Sequence, residues 1–287
     1  MKSKSIENFM KIVFFISATM SIIAIVLICI FIFAGGIPFI QKYGLKNFLL
    51  GTEWKPNNTP SSFGILPMIL GSIYVTIGAI IIGVPIGILT ATYLAEFCNK
   101  KIYKFLKPSI NLMAGIPSIV YGFFALVVIV PIIRNIFGGT GMNIITASIL
   151  LGIMILPTII NISEASIRAV PQSYYEGSIA LGASHEKSIM SIVLPAAKSG
   201  ILSSIILGIG RAIGETMAVI LVAGNQARMP AGLVKGIRTL TTNIVIEMAY
   251  AADEHRQALI ATATILFAFI LIINGVFLTV KRRTNNG

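Results

Sequence analysis

The chain has 287 residues, of which 56% are hydrophobic and only 11% charged, and its mean hydropathy is +0.91. That balance excludes an ordinary globular enzyme domain and makes the chain a polytopic membrane protein. The net charge of +12 reads as membrane topology and contact with anionic lipid rather than nucleic-acid binding.

Six apolar runs are long enough to cross roughly 30 Å of hydrocarbon at a rise of about 1.5 Å per residue. They cover 12–34, 66–94, 109–133, 143–163, 201–223 and 257–280, and predict one all-α bundle of six transmembrane helices. Lys2, Lys4 and Lys11 precede the first run. Its 23 apolar residues exceed a signal h-region and no A-x-A-like site follows, so the helix is expected to be retained. After the second run comes a short loop with Lys100, Lys101, Lys104 and Lys107, and after the sixth comes Lys281, Arg282 and Arg283. With the amino terminus inside, 13 of the 22 Lys/Arg residues fall on that side, which predicts that both termini are cytoplasmic.

Within the third run, Gly115 to Phe123 carries Pro117 and Ser118. A proline inside a membrane helix frees a carbonyl and kinks the path, so this stretch either lines a pathway or only shapes packing. Tyr121 fits a core aromatic as well as a pore residue. Cys29 and Cys98 lie at different depths, and His185 and His255 fall on opposite sides, so neither a disulfide nor a metal site is expected.

The loop after the fourth run, 161–199, is longer than a connection needs. Its segment 173–195 reads as two short helices broken at Gly182, with Glu176 favouring the positive start of the first and Pro195 opening the next span. Ile189, Met190 and Ile192 then need a partner: either another protein or the membrane surface. Further on, Arg211 and Glu215 stand four residues apart in the fifth run. A lone arginine at a helix centre costs roughly 2.5 to 3.5 kcal/mol on insertion scales, so a charge there marks either a pathway or a buried ion pair that locks helices. An arginine fork suits phosphate oxygens, and Glu215, on the same face at i+4, would hold the guanidinium or accept from a protonated oxyanion. Gly208, Gly210 and Gly214 flank the pair and allow close approach. The external loop 224–256 contains an apolar run, 244–252, too short to span and expected to be re-entrant or interfacial. No G-x-x-x-x-G-K-[ST] occurs, so the chain has no phosphate-cradling nucleotide loop of its own and is not expected to be an enzyme.

Glu176-Gly177-Ser178, three residues, Gly182, nine residues, then Ile192-Val193-Leu194-Pro195 resembles the EAA loop of ABC importer permeases, pattern EAA-x3-G-x9-I-x-L-P, with Gly177 and Ser178 replacing the usual alanines. Gly115 to Phe123, Gly208 to Ala218 and Thr239 to Ile244 are similar to stretches in permeases of the phosphate-specific transport (Pst) system. Trp54 to Pro56, Phe63-Gly64 and Pro67 resemble its C-type subunit, and the likeness covers residues 40 to 280. The resemblance implies a type I, MetI-like bundle: a core over 66–287 preceded by a tail, helix and external loop over 1–65. Function would be phosphate import across the cytoplasmic membrane of a prokaryote; permeation of sulfate or molybdate, or a self-contained channel or carrier, is the alternative. Substrate would pass Arg211, Glu215, Ser118 and Tyr121. Glu176, Gly177, Ser178, Gly182, Ile192, Leu194 and Pro195 would couple to the ATPase. Implied partners are a second Pst-type permease, two copies of a cytoplasmic ATPase that use ATP and Mg, an extracytoplasmic phosphate-binding protein and membrane lipid, with no nucleic acid and no cofactor on this chain.

Overall fold

The structure, a computed structural model, describes residues 2–285, with side chains left aside for 2–5, 277, 278 and 280–285; the basic run Lys281 to Arg283 and Lys2 and Lys4 lie outside the described side chains. The first, fourth and sixth apolar runs become helices longer than the runs themselves, and the third and fifth are broken. The first is α1 (Lys2–Tyr43), followed by the short α2 (Leu45–Leu50) and a hairpin of β1 (Trp54–Lys55) and β2 (Ser62–Phe63), in which Trp54 pairs with Phe63. The second run becomes α3 (Leu66–Thr92), extended by a π-helical turn at Tyr93–Phe97.

The third run is placed differently from expectation. Residues 109–133 are not one helix: α4 (Lys100–Gly115) ends, and α5 (Ser118–Phe124) begins a new span that continues through a π turn at Ala125–Ile129 into α6 (Val130–Phe137). Pro117 is therefore the N-cap of α5 rather than an interior kink. The cause is local, because proline drives the residue before it out of the helical region, and Ile116 is extended at ψ 128°. The fourth run is α7 (Ile144–Arg168).

The loop pair is present as α8 (Gln172–Ala180) and α9 (His185–Ser188), turned at Gly182 with φ 85°, a left-handed conformation that glycine adopts without a Cβ penalty. A π turn at Ile189–Val193 and the brief α10 (Leu194–Ala196) follow, and the chain then bends by 68° into α11 (Lys198–Gly214). Pro195 thus lies before the bend and does not open the span. The fifth run is also broken: α11 ends at Gly214 and α12 (Met217–Val222) resumes after Glu215 and Thr216. Finally come α13 (Leu240–Met248), the short element expected in the external loop, and α14 (Asp253–Asn285). Among the described residues, five helices are long and apolar enough to cross a membrane, and the bent pair ending in α11 would make a sixth if it counts as one span.

At the centre, α3 and α7 pack along most of their length. A Cβ on Gly78 would overlap Ser148 Oγ, and one on Gly83 would sit 2.7 Å from Ile155, so glycine sets the distance between the two backbones. α11 rests on α7, α12 on α5, and α1 on α14, where the hydroxyl of Thr264 donates to Ile32 O at 3.0 Å. Two further clusters close the ends. Phe39, Phe48, Trp54, Phe63, Ile65 and Met68 gather under the hairpin. Ala91, Leu94, Ile110, Ile167, Ile189 and Val193 gather where α8 and α9 meet the bundle. We call these the hairpin end and the loop end.

Candidate functional site

The interruption between α11 and α12 positions the two charges that the sequence places in the fifth run. Glu215 has extended backbone, ψ 133°, and its Oε1 accepts from the N–H groups of Thr216 and Ala218, each at 3.1 Å. Those N–H groups belong to the start of α12, where the first turn of a helix has no internal acceptor and the helix dipole favours negative charge. The carboxylate is therefore occupied by backbone. The expected resting pair between Arg211 and Glu215 does not form, and no ion pair joins them among the described residues. The i+4 spacing implied one continuous helix, and the break at Glu215 removes that geometry. Thr241 reinforces the break by donating its hydroxyl to Glu215 O at 3.0 Å, while Ser72 Oγ accepts from Leu240 N at 3.0 Å. Ser72, Thr76, Thr239 and Glu215 thus line one narrow crevice between α3, α11 and α13.

Arg211 is half-buried on α11 and donates from Nη1 to Thr158 Oγ1 on α7, at 3.5 Å. A guanidinium has five N–H donors, so this one long bond leaves most of them unmet among the described residues. Gly210 and Gly214 flank it with open space: a Cβ at either would meet nothing within 4 Å. Gly208 is different, since its Cβ would touch Ile159 at 3.2 Å, which makes it a packing glycine. Tyr121 lies within electrostatic range of Arg211 but is 8% exposed, and its hydroxyl donates to Met113 O at 2.9 Å, bridging α5 back to α4. Ser118 is the half-buried first residue of α5. Among the described residues, no hydrogen bond or ion pair joins any two of Arg211, Glu215, Tyr121 and Ser118.

At the loop end, Glu176 sits beyond the first turn of α8 and is exposed, so it does not cap that helix. Ser184 caps α9 instead, accepting from Lys187 N at 3.3 Å, and backbone and Ser184 hydrogen bonds hold the Glu186 carboxyl below its ordinary range. Of the three apolar residues expected to need a partner, Ile189 is fully buried, whereas Met190 and Ile192 are exposed. Gly177 and Gly182 have open space around them, Ser178 and Leu194 are half-buried, and Pro195 is exposed. Leu181, at the tip of the pair, is 91% exposed. Behind the pair lies a cavity of about 310 Å³ lined by Glu96, Arg168, Gln172, Tyr175 and His185.

Two buried carboxylates escape the reading from sequence. Glu164 on α7 accepts from Tyr103 and Lys107 of α4 and from Arg168, and its hydrogen bond pushes the Tyr103 phenol above its ordinary range. Glu247 on α13 accepts from Trp54 Nε1 at 2.8 Å, lies 2.7 Å from His255 Nε2 and pairs with Arg238. Glu164 had a local signal in its i+4 spacing to Arg168, but the partners of Glu247 come from sites as distant as Trp54 and are invisible in the chain order.

Residues 83–286 match the family model of binding-protein-dependent transport system inner membrane components. The chain belongs to this family. Among its relatives is a probable ABC transporter permease, YqgH of Bacillus subtilis, 36% identical over 93% of this chain and 88% of that protein. Two phosphate transport system permease proteins named PstC, from Mesorhizobium japonicum and Xylella fastidiosa, are 31% and 30% identical over 86% and 98% of this chain and 81% and 93% of theirs. The fold of this binding-protein-dependent permease is that of solved ABC importers. A bacterial alginate ABC transporter in complex with a substrate-bound periplasmic protein superposes with a TM-score of 0.62 at 18% identity, covering 94% of both chains. The MetNI methionine transporter gives 0.57 at 20% identity over 77% of this chain and 94% of that one. The expected MetI-like, type I bundle is thus the one observed.

Proposed function

We propose that this permease is one half of the membrane pathway of an ATP-driven importer of inorganic phosphate, and that Arg211 is the group that meets the anion inside the membrane. The observation carrying the reading is a half-buried guanidinium in an apolar span with one hydrogen bond of 3.5 Å, on a helix face kept open by Gly210 and Gly214. A planar fork of unmet donors suits a tetrahedral oxyanion, which it binds through two parallel hydrogen bonds. The relatives named as phosphate transport permeases support the cargo. Glu215 refines it: Oε1 is held by backbone, which leaves Oε2 to accept from the hydroxyl of a protonated phosphate, a donor that ionised sulfate and molybdate lack. Ser118 and Tyr121 lie beside the same route, Ser118 as a hydroxyl for the anion and Tyr121 as the brace of the α4–α5 turn.

In this reading the loop end is cytoplasmic, and Leu181 with its neighbours from Glu176 to Gly182 docks on one of two ATPase copies, where ATP and Mg are bound. A second permease closes the open face beside Arg211, and a phosphate-binding protein delivers cargo to the hairpin end. Arg211→Gln in the assembled complex is expected to abolish uptake of radiolabelled phosphate without loss of assembly, and excess sulfate is expected not to compete in the native complex. Undiminished uptake by the variant refutes the site, and competition by sulfate refutes the cargo.

A further inference from the structure

We propose that Glu164 is a positioning residue that carries movement of the α8–α9 pair into α4 and so to α5, whose Tyr121 lies within electrostatic range of Arg211. The proposal rests on the reading of that pair as the ATPase-coupling element. Glu164 is 2% exposed and stands one turn before the end of α7, four residues ahead of Arg168. Its two oxygens collect three donors: Tyr103 OH at 2.8 Å and Arg168 Nε at 2.9 Å on Oε1, and Lys107 Nζ at 2.6 Å on Oε2. Each donor extends the connection. Arg168 Nη2 donates to Leu94 O at 2.7 Å, meeting a carbonyl in the π turn that ends the second span, and its guanidinium lies 5.0 Å from the Tyr103 ring centre. Lys107 Nζ also reaches Asn161 Oδ1 at 2.7 Å.

What makes this junction more than a local tie is the poor anchorage of α4. Ile110 is its only buried side chain, and the helix packs principally on α7. Beside the apolar contacts of Ile110 and the half-buried Tyr103 and Leu106, polar contacts fix the position of α4, and three residues of α4 and α7 donate to the one carboxylate. Toward the cytoplasmic side, Ile189 and Val193, which follow α9 directly, share an apolar cluster with Ile167, Leu94 and Ile110. At the far end of α4, Met113 O holds Tyr121, and Gly115 leads through Pro117 to Ser118. A displacement of the loop pair therefore meets Ile167 and Arg168 first, passes to α4 through Glu164, and arrives at the Pro117 turn. Removing the charge of Glu164 frees α4 from that path without touching the loop or the pathway residues.

The test places a thiol reporter at Gly115, where an added Cβ meets nothing within 4 Å, in a chain with Cys29 and Cys98 replaced by serine. In the full transporter with its ATPase, the rate at which a charged maleimide labels Gly115→Cys is measured with and without ATP plus orthovanadate. Nucleotide is expected to change the rate several-fold in the native background and less than twofold with Glu164→Gln or Lys107→Gln, while ATP hydrolysis continues in all three. Lys107→Gln, whose side chain is partly exposed, carries the test if Glu164→Gln fails to assemble. The charge-conserving Lys107→Arg is expected to restore the response. A response that both Gln variants keep at native size overturns the relay alone; a native complex whose labelling ignores nucleotide overturns the coupling reading and the relay together.

Discussion

A carboxylate persists in an apolar span only where its charge is met, and Glu215 is met by the N–H groups of Thr216 and Ala218 rather than by the arginine beside it. Capping of this kind is worth about 1 kcal/mol. Glu215→Ala is accordingly expected to lower the thermal stability of the purified permease by that order. Glu215→Gln, which keeps an acceptor oxygen, is expected to leave stability near native while impairing uptake, and thermal unfolding in detergent beside a transport assay separates the two effects. Equal destabilisation by Ala and Gln would show that the cap is not what holds the break. Glu247 sets a harsher case, since it is 5% exposed and satisfied by Trp54, Arg238 and His255. Removing Arg238 leaves a buried charge short of its cation, at a cost on the order of 3 kcal/mol or more. Arg238→Met is expected to reduce the folded yield sharply, and a native yield would deny the pair a structural role. Hydropathy alone picks out Arg211 and Glu215, but not what they touch, because their pairing was inferred from a helix that the chain does not continue.

Helix interiors were legible wherever apolar periodicity decided the matter, and helix ends were not. The two breaks inside expected spans lie at residues that end helices for reasons a hydropathy window averages away. Pro117 forces Ile116 out of the helix, and Glu215 supplies an acceptor that lets a second helix start. In the proposed pathway the break at Glu215 follows Arg211 by one turn and offers backbone where an uninterrupted helix would offer only side chains. The loop pair was legible down to Gly182, since its turn demands a left-handed residue. Its exposed tip was not, because exposure is a property of the folded pair. Leu181 is 91% exposed and contributes little to this chain's own packing. Leu181→Asp is expected to abolish co-purification of the ATPase subunit while leaving the permease's own thermal midpoint unchanged. Retention of the ATPase at native stoichiometry would move the docking site elsewhere. Gly78→Val tests the opposite kind of element, since its side chain would enter the space of Ser148 between α3 and α7. Overpacking of that sort costs roughly 1 to 3 kcal/mol and is expected to appear as a lower midpoint with the ATPase still bound.

For the whole molecule, the number of crossings decides where the basic charge lies. Five helices pass as spans by length and composition, and a sixth exists only if the chain that bends by 68° before Lys198 counts as crossing. With five crossings the two termini would lie on opposite sides, and the lysines of α4 would face the same water as only one of them. With six they share a side, and the lysines at 100, 101, 104, 107 and 187 join them, which is the distribution that positive charge favours at the cytoplasmic surface. α11 has 17 residues, about 26 Å at the helical rise, and α12 carries the path further toward the hairpin end. The broken helix is therefore long enough to cross, which favours six crossings over five. In a chain with Cys29 and Cys98 replaced by serine, Asn57→Cys in the hairpin turn is expected to react with an impermeant maleimide in intact cells. Lys101→Cys and Glu176→Cys are expected to react only once the membrane is opened. Labelling of Asn57→Cys and Lys101→Cys from the same side would contradict the crossing of α3, and labelling of Glu176→Cys in intact cells would place the loop pair outside, away from any nucleotide-driven partner.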